Sequence, residues 1–180
     1  MDSNQEIKVD KSISVTGLAK FNEALAYVYL TQPFVSAVLR RVNIRPSTDI
    51  PTMAVTLNRK KQFELLFNTE FCDKFEYEDN DGNKKVFEMT PFMDIAPIIV
   101  HEVYHLCMKH LERYRKDWNP KIMNYAADLV VNHYIPELRG EDGMGQFSIN
   151  QPKFSKEAPN DFLKDVNIDE HSFESLYALF

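Results

Sequence analysis

One short stretch constrains this chain more than any other, the His-Glu-x-x-His pattern at His101-Glu102-Val103-Tyr104-His105. On an α-helix, residues four apart lie about 40° apart around the axis and one turn along it. Both imidazoles can therefore reach one metal ion from the same face. Glu102 lies roughly 100° round from His101, where its carboxylate can touch a water at the metal without binding the metal. Zinc accepts imidazole nitrogen and is the usual ion of this pattern, so the motif predicts a Zn²⁺ site.

The flanks of the motif indicate that its helix is buried. Residues 98–100 (Ile-Ile-Val) and 106–108 (Leu-Cys-Met) are apolar on both sides of the motif. Buried histidines and a buried glutamate need polar partners. A metal site supplies such partners, whereas a solvated helix with two chance histidines would not need them.

Length, composition and charge exclude several classes of protein. A chain of 180 residues fits one domain, and 44% hydrophobic with 27% charged residues is typical of a soluble globular protein. The net charge of −6, with no basic cluster beyond residues 58–61, disfavours nucleic-acid binding. A polar N-terminus and the lack of a long apolar run predict a cytoplasmic protein that does not enter membranes. Cys72 and Cys107 are then expected to be two free thiols.

The pattern of apolar residues predicts an α+β fold, a small antiparallel or mixed sheet packed on helices that include the motif helix. Residues 1–16 are expected to form a flexible arm, and residues 17–180 a single domain that could be the N-terminal part of a longer protein. The predicted strands are 52–57, 62–67, 74–77 and 85–88, paired as two hairpins. The predicted helices are 17–30, a second one from Pro33, the motif helix from Asp94 as N-cap to Arg115, 120–134, and one from Ser172. Residues 136–160 are expected to form a long surface loop.

The third metal ligand has several candidates, because catalytic zinc sites usually use three protein ligands and a water. Asp128 is favoured, since it lies in a polar stripe, Asn124, Asp128 and Asn132, on an otherwise apolar helix. The two asparagines are then expected to hold the ligands in place. His110 lies about 140° round from His105 on a continuous helix, so it is expected to lie behind a ligand or in the core, unless the helix bends. His133 and the remote His171 are the other candidates.

Several pieces of the sequence, in order, resemble the DUF2201 metallopeptidase-like family of the zincins, whose domain often lies N-terminal to a von Willebrand A-like domain. The pieces are Gln32–Phe34, Thr52–Thr56, Phe67–Phe71, His101–His105 with His110 and Arg113, Trp118-Asn119, Asn124–Asn132 and Phe173–Tyr177. The resemblance spans about residues 17 to 180. It implies a zincin-like fold, peptidase chemistry and association with a von Willebrand A-like domain or a MoxR-type ATPase.

The function expected on these grounds is zinc-dependent peptide hydrolysis, with His101, His105 and Asp128 as ligands and Glu102 as general base. Tyr125, Tyr134 and His133 are open candidates for stabilising the oxyanion, and the strand at 62–68 is expected to bind a peptide along its edge. The alternative is a metal-stabilised interaction or adaptor module without peptidase activity, which predicts a fourth protein ligand at His110 or His133. A third hypothesis, a zincin-like domain that has lost its metal, predicts that Asp128 lies far from both motif histidines.

Overall fold

A computed structural model describes residues 13–78, 82–134 and 167–179 of the chain. Helices and two small sheets form a mixed α+β structure. The helices are α1 (Val15–Thr31), α2 (Pro33–Leu39), α3 (Thr69–Asp73), α4 (Ala96–Cys107), α5 (His110–Arg113), α6 (Pro120–Tyr134) and α7 (Phe173–Tyr177). The strands are β1 (Asn43–Pro46), β2 (Met53–Leu57), β3 (Phe63–Phe67), β4 (Lys74–Glu78) and β5 (Lys84–Glu88). A π-helical turn (Pro91–Ile95) precedes α4, and a 3₁₀ turn (Ile168–Glu170) precedes α7.

The larger sheet has three strands in the order β1-β3-β2. Strands β2 and β3 form the predicted antiparallel hairpin, with Val55 opposite Leu65. The unpredicted strand β1 pairs in parallel with the other side of β3. The strand at 62–68 is therefore central, and the expectation that its edge binds a peptide is wrong. Strands β1 and β2 form the two edges, and the unpaired side of β2 faces α4.

The second predicted hairpin is also present. Strands β4 and β5 pair antiparallel, with Phe75 opposite Phe87. The tip of this hairpin, residues 79–81, and the expected surface loop at 136–160 lie outside the described residues.

Helix α1 begins earlier than predicted, at Val15, because the Ser14 side chain accepts a hydrogen bond from the Gly17 N–H and caps it. The expected arm therefore does not extend to residue 16, while residues 1–12 lie outside the described range. Phe21 and Val28 are buried in the core, and the Phe21 ring stacks on Phe67 with centroids 3.6 Å apart.

The sequence predicted one continuous motif helix from Asp94 to Arg115, and this prediction is wrong. The structure has two helices there, α4 and α5. Asp94 lies inside the π-helical turn, where its carboxylate accepts hydrogen bonds from the Thr90 hydroxyl and backbone N–H. Helix α4 ends at Cys107, and Lys109 adopts left-handed backbone angles, φ 58° and ψ 31°. Helix α5 then starts in a new direction at His110.

Helices α6 and α7 form a second apolar cluster beside the motif helix. Phe173 of α7 is buried and packs on Trp118, which itself stacks on Tyr177 with ring centroids 4.0 Å apart. An ion pair between Arg113 and Glu174 also joins α5 to α7. This cluster positions α6, whose buried Val131 packs on residues of α4.

Cys72 is buried and Cys107 exposed, and both are free thiols, as predicted. Within the described residues, no helix combines the length and the apolar character that a bilayer span requires.

A close contact between two helices generates a test of this packing. A Cβ atom added at Gly17 of α1 would lie 1.7 Å from the Thr69 carbonyl oxygen of α3, which is backbone and cannot rotate away. We expect Gly17→Ala to destabilise the fold by about 3 kcal/mol, because overpacking outweighs the better helix propensity of alanine. Chemical denaturation measures the change. Asn22→Ala, on the exposed side of α1, is the matched control and should leave stability unchanged or slightly higher. Equal stability of the two variants would contradict the packing described here.

Candidate metal centre

The two motif histidines face the interior from one side of α4. Both are buried, at 6% exposure each, on the same helix whose Ile99 and Val103 enter the core. Their spacing of four residues brings His101 Nε2 to 2.9 Å from His105 Nε2. The helical periodicity of the sequence thus places two ring nitrogens at one point inside the fold.

Asp128 of α6 reaches the same point. Its Oδ1 lies 3.1 Å from His105 Nε2 and 3.5 Å from His101 Nε2. One ligand atom from each of the three residues lies within 4.8 Å of the others, so this group could hold a metal ion. The three predicted ligands therefore come together from two helices. The hypothesis that the domain has lost its metal site predicted that Asp128 lies far from both histidines. The short distances from Asp128 to both rings contradict that prediction.

The three donor atoms fit a small tetrahedral ion. Ligands of a tetrahedral zinc ion at about 2.0–2.1 Å lie about 3.3–3.5 Å apart from each other. The distances between the three donor atoms are 2.9, 3.1 and 3.5 Å. Shifts of the side chains by a few tenths of an ångström would bring all three to the spacing of a tetrahedral zinc site. Two imidazole nitrogens and a carboxylate oxygen are also ligand types that zinc accepts.

The polar stripe on α6 orients these groups, as the sequence predicted. Asn132 Oδ1 lies 3.0 Å from His101 Nδ1, which can donate to it and keep a lone pair on Nε2. The Asn124 amide donates to Asp128 Oδ2 at 3.1 Å, which leaves Oδ1 facing the histidines. Both asparagines therefore contact a predicted ligand.

The charges of the centre support one another. Burial alone would raise the pKa of Asp128, but hydrogen bonds and charge interactions with His101 and His105 hold this pKa below its ordinary value. Burial alone would lower the pKa of His101, but Asp128 and Glu102 outweigh it and raise this pKa. The Asp128 carboxylate and the histidine rings therefore stabilise each other's charged forms.

Glu102 lies beside the centre and is held from the sheet. The Val55 N–H of β2 donates to Glu102 Oε2 at 3.0 Å. Burial raises the pKa of Glu102 more than the nearby His105 and His101 lower it. A carboxylate with a raised pKa is a better proton acceptor at neutral pH.

An open cleft of about 310 Å³ exposes the centre. Its walls combine polar groups of the centre with apolar side chains and the edge of β2; the lining residues are Thr52–Val55, Phe71, Ile98, His101, Glu102, His105, His110, Leu111, Tyr114, Asn124 and Asp128. A larger groove of about 440 Å³ lies between α2 and α4, but its lining is mostly apolar and includes no residue of the centre.

The other candidate histidines lie outside the ligand group. His110 Nδ1 is 3.0 Å from His105 Nδ1, on the side of that ring away from Asp128, so His110 contacts a predicted ligand from behind. Burial, then the charges of His105 and Arg113, lower the pKa of His110 to about 3. His133 Nε2 lies 2.7 Å from Asp169, and His171 Nδ1 lies 3.3 Å from Ser175 Oγ.

Tyr114 is a cleft residue that the sequence did not indicate. It lines the cleft, and its hydroxyl makes no hydrogen bond to the part of the chain that the structure describes. Burial, then the charges of Asp128 and Glu102, raise its pKa. On the predicted straight helix, nine residues beyond His105, Tyr114 would face about 180° away. Tyr125 does not line the cleft, and the Tyr134 side chain lies outside the described structure.

Comparison with known proteins adds one distant relative. The chain is 27% identical over 123 residues to an uncharacterized protein of Thermotoga maritima; the match covers 68% of this chain and 27% of that protein. The chain thus spans little more than a quarter of its relative's length. No family model matches the chain, and no solved structure matches it.

The geometry of the three donors generates a test by metal analysis. We expect about one zinc ion per chain after reconstitution, and its removal by a chelator. His101→Ala should abolish binding, and Asp128→Ala should weaken it, because each removes a donor from the group. His171→Ala, outside the group, is the control and should bind zinc like the wild type. Failure of the reconstituted wild-type protein to bind zinc would contradict the assignment.

Proposed function

We propose that this chain is a zinc-dependent peptide hydrolase of the zincin type. The observation that carries the proposal is the convergence of His101, His105 and Asp128 on one point, with the Glu102 carboxylate beside them in an open cleft. The pieces of sequence that resemble the DUF2201 metallopeptidase-like domain contain all four of these residues. Two imidazoles and one carboxylate would hold the zinc, leaving a side of the ion open to the cleft.

Zinc, when bound, acts as a Lewis acid that lowers the pKa of water and polarises a carbonyl group. In the proposed reaction Glu102 accepts a proton from the attacking water and later donates it to the leaving amine. Its raised pKa suits both roles, because the carboxyl group must take up the proton and release it near neutral pH. The Val55 N–H holds one carboxylate oxygen of Glu102, so the other oxygen remains for the proton transfer.

The edge of β2 is the proposed place for the peptide. The Val55 N–H points away from β3 to Glu102, and alternate residues of an antiparallel strand share this direction. The backbone groups of Met53 therefore also face outward, beside the cleft. An extended peptide that pairs with this edge would pass in front of the metal centre. Strand β2 thus replaces the central strand β3 as the proposed peptide-binding strand.

The adaptor alternative has less support from the described residues. A structural zinc site is usually closed by four protein ligands. In the described part of the chain, the ligand group has three members, and the two residues proposed as a fourth ligand point elsewhere: His110 contacts His105 Nδ1, and His133 contacts Asp169. A von Willebrand A-like domain or a MoxR-type ATPase remains a proposed partner of the hydrolase.

The role of Glu102 is tested by its conversion to an amide. We expect Glu102→Gln to bind zinc like the wild type and to lose peptide hydrolysis by a factor of about 100 or more, because the amide cannot accept the proton. The glutamine oxygen can still accept the hydrogen bond from Val55, so the fold should remain intact. Hydrolysis of a mixed peptide library, followed by mass spectrometry, measures the change. Glu23→Gln, at an exposed position of α1, is the matched control. Full activity of Glu102→Gln would rule out this mechanism.

Tyr114 is the proposed donor to the oxyanion, in place of Tyr125, Tyr134 and His133. The Tyr114 side chain lines the cleft, and its hydroxyl has no hydrogen-bond partner among the described residues, so it is a neutral donor that can stabilise developing negative charge. Tyr114→Phe should lower kcat by about 100-fold, while KM and zinc affinity stay near their wild-type values. Steady-state kinetics and metal analysis separate these effects. A Tyr114→Phe enzyme that mainly shows a raised KM would assign Tyr114 to substrate binding instead.

A further inference from the structure

The chain turns sharply between α4 and α5 to bring one histidine back to the centre. Helix α4 ends at Cys107, and Lys109 takes the left-handed conformation that non-glycine residues rarely adopt. Strained backbone of this kind persists where the surrounding structure holds it, and it is frequent at functional sites. Its consequence here is that His110 packs against His105, with the two Nδ1 atoms 3.0 Å apart.

The hydrogen bonding of His110 is unusual for a core histidine. The side chain is 1% exposed and lies against the Phe173 ring, with centroids 4.9 Å apart. Within the described residues, its Nε2 atom is buried and has no hydrogen-bond partner. A histidine kept for the stability of the core would use both ring nitrogens, whereas His110 uses only the one that faces His105.

A hydrogen bond between two Nδ1 atoms contains one proton, so one ring donates and the other accepts. If His105 donates from Nδ1, its Nε2 keeps a lone pair that points to Asp128 and His101. If His110 donates instead, the proton of a neutral His105 occupies Nε2 and blocks metal binding there. The position of the ring proton on His105 is therefore coupled to the position of the ring proton on His110.

We propose that His110 is a positioning residue that accepts a hydrogen bond from His105 Nδ1, and thereby holds the tautomer and ring orientation in which His105 Nε2 binds the metal. Asn132 does the same for His101 from the other side, and its Nδ2 atom is likewise buried without a partner among the described residues. A histidine that binds a metal through one ring nitrogen usually donates the N–H of the other to an acceptor, most often a carboxylate, a carbonyl or water. Here a second imidazole fills that place. The inference rests on the metal site of the proposed function, but not on hydrolysis.

The first test measures zinc affinity by competition with a chelator. His110→Phe keeps an aromatic ring against Phe173 but has no acceptor, and we expect its zinc affinity to fall about 10- to 100-fold. His110→Asn places an oxygen near the position of Nδ1, and it should recover most of the affinity although it fills the core less well. Thermal melts of the metal-free variants provide the control, because a merely structural role would make stability and zinc affinity fall together in both variants. Unchanged affinity in His110→Phe would overturn the inference.

The second test needs no variant. Nitrogen-15 NMR of the zinc-loaded protein distinguishes protonated from unprotonated ring nitrogens. We expect His105 to carry its proton on Nδ1 and His110 on Nε2. A proton on His110 Nδ1 in the zinc-loaded protein would overturn the inference, because His105 Nδ1 would then not donate to His110. If the wild-type protein binds no zinc, both this inference and the proposed function fail, and the metal analysis alone identifies that case.

Discussion

The burial of two imidazole rings on the core face of α4 is the constraint on which the rest of this structure depends. Ring nitrogens without partners in an apolar interior destabilise a fold, so each needs a polar neighbour. Asn132, Asp128 and His110 supply these neighbours, with contacts of 3.0, 3.1 and 3.0 Å. The centre is therefore a strongly polar part of the interior, and its contacts join α6 to α4.

Helix α6 can supply polar partners to the buried imidazoles because one of its sides is apolar and the other carries a polar stripe. The fully buried Ala126 and Ala127 are small and let the helix approach its neighbours closely, while the polar stripe turns Asp128 and Asn132 to the centre. The C-terminal segment supports α6 from behind through the buried Phe173. The ion pair of Arg113 with Glu174 adds a charged link, which holds the pKa of Glu174 at about 2. The C-terminal residues of α7 thus help to hold α6 beside α4, and these two helices share the candidate site.

The sheet contributes to the centre through its edge. Because β1 pairs with the far side of β3, strand β2 is left with one side that no strand of the described chain pairs with, and that side faces α4. The Val55 N–H holds Glu102, and Met53, whose backbone faces the same way, lies beside the cleft. The same strand therefore orients the proposed base and provides the proposed surface for a peptide, which links the topology of the sheet to the chemistry of the cleft.

The sequence by itself determined the features that depend on local periodicity. The four-residue spacing of His101 and His105, and of Asn124, Asp128 and Asn132, follows from the helical repeat, so the spacing alone assigns these side chains to common helix faces. The start of α6 at Asn119-Pro120 and the hairpin of β2 with β3 likewise have local signals.

The tertiary structure alone decided the features that depend on distant contacts. A left-handed lysine has no sequence signal comparable to glycine, so the break at Lys109 was not predictable. The positions of His110 and Tyr114 follow from that break. The short strand β1 is stabilised by pairing with residues about twenty positions away, and it therefore could not be recognised from its own four residues. Its pairing in turn decides which strand forms the edge beside the metal centre.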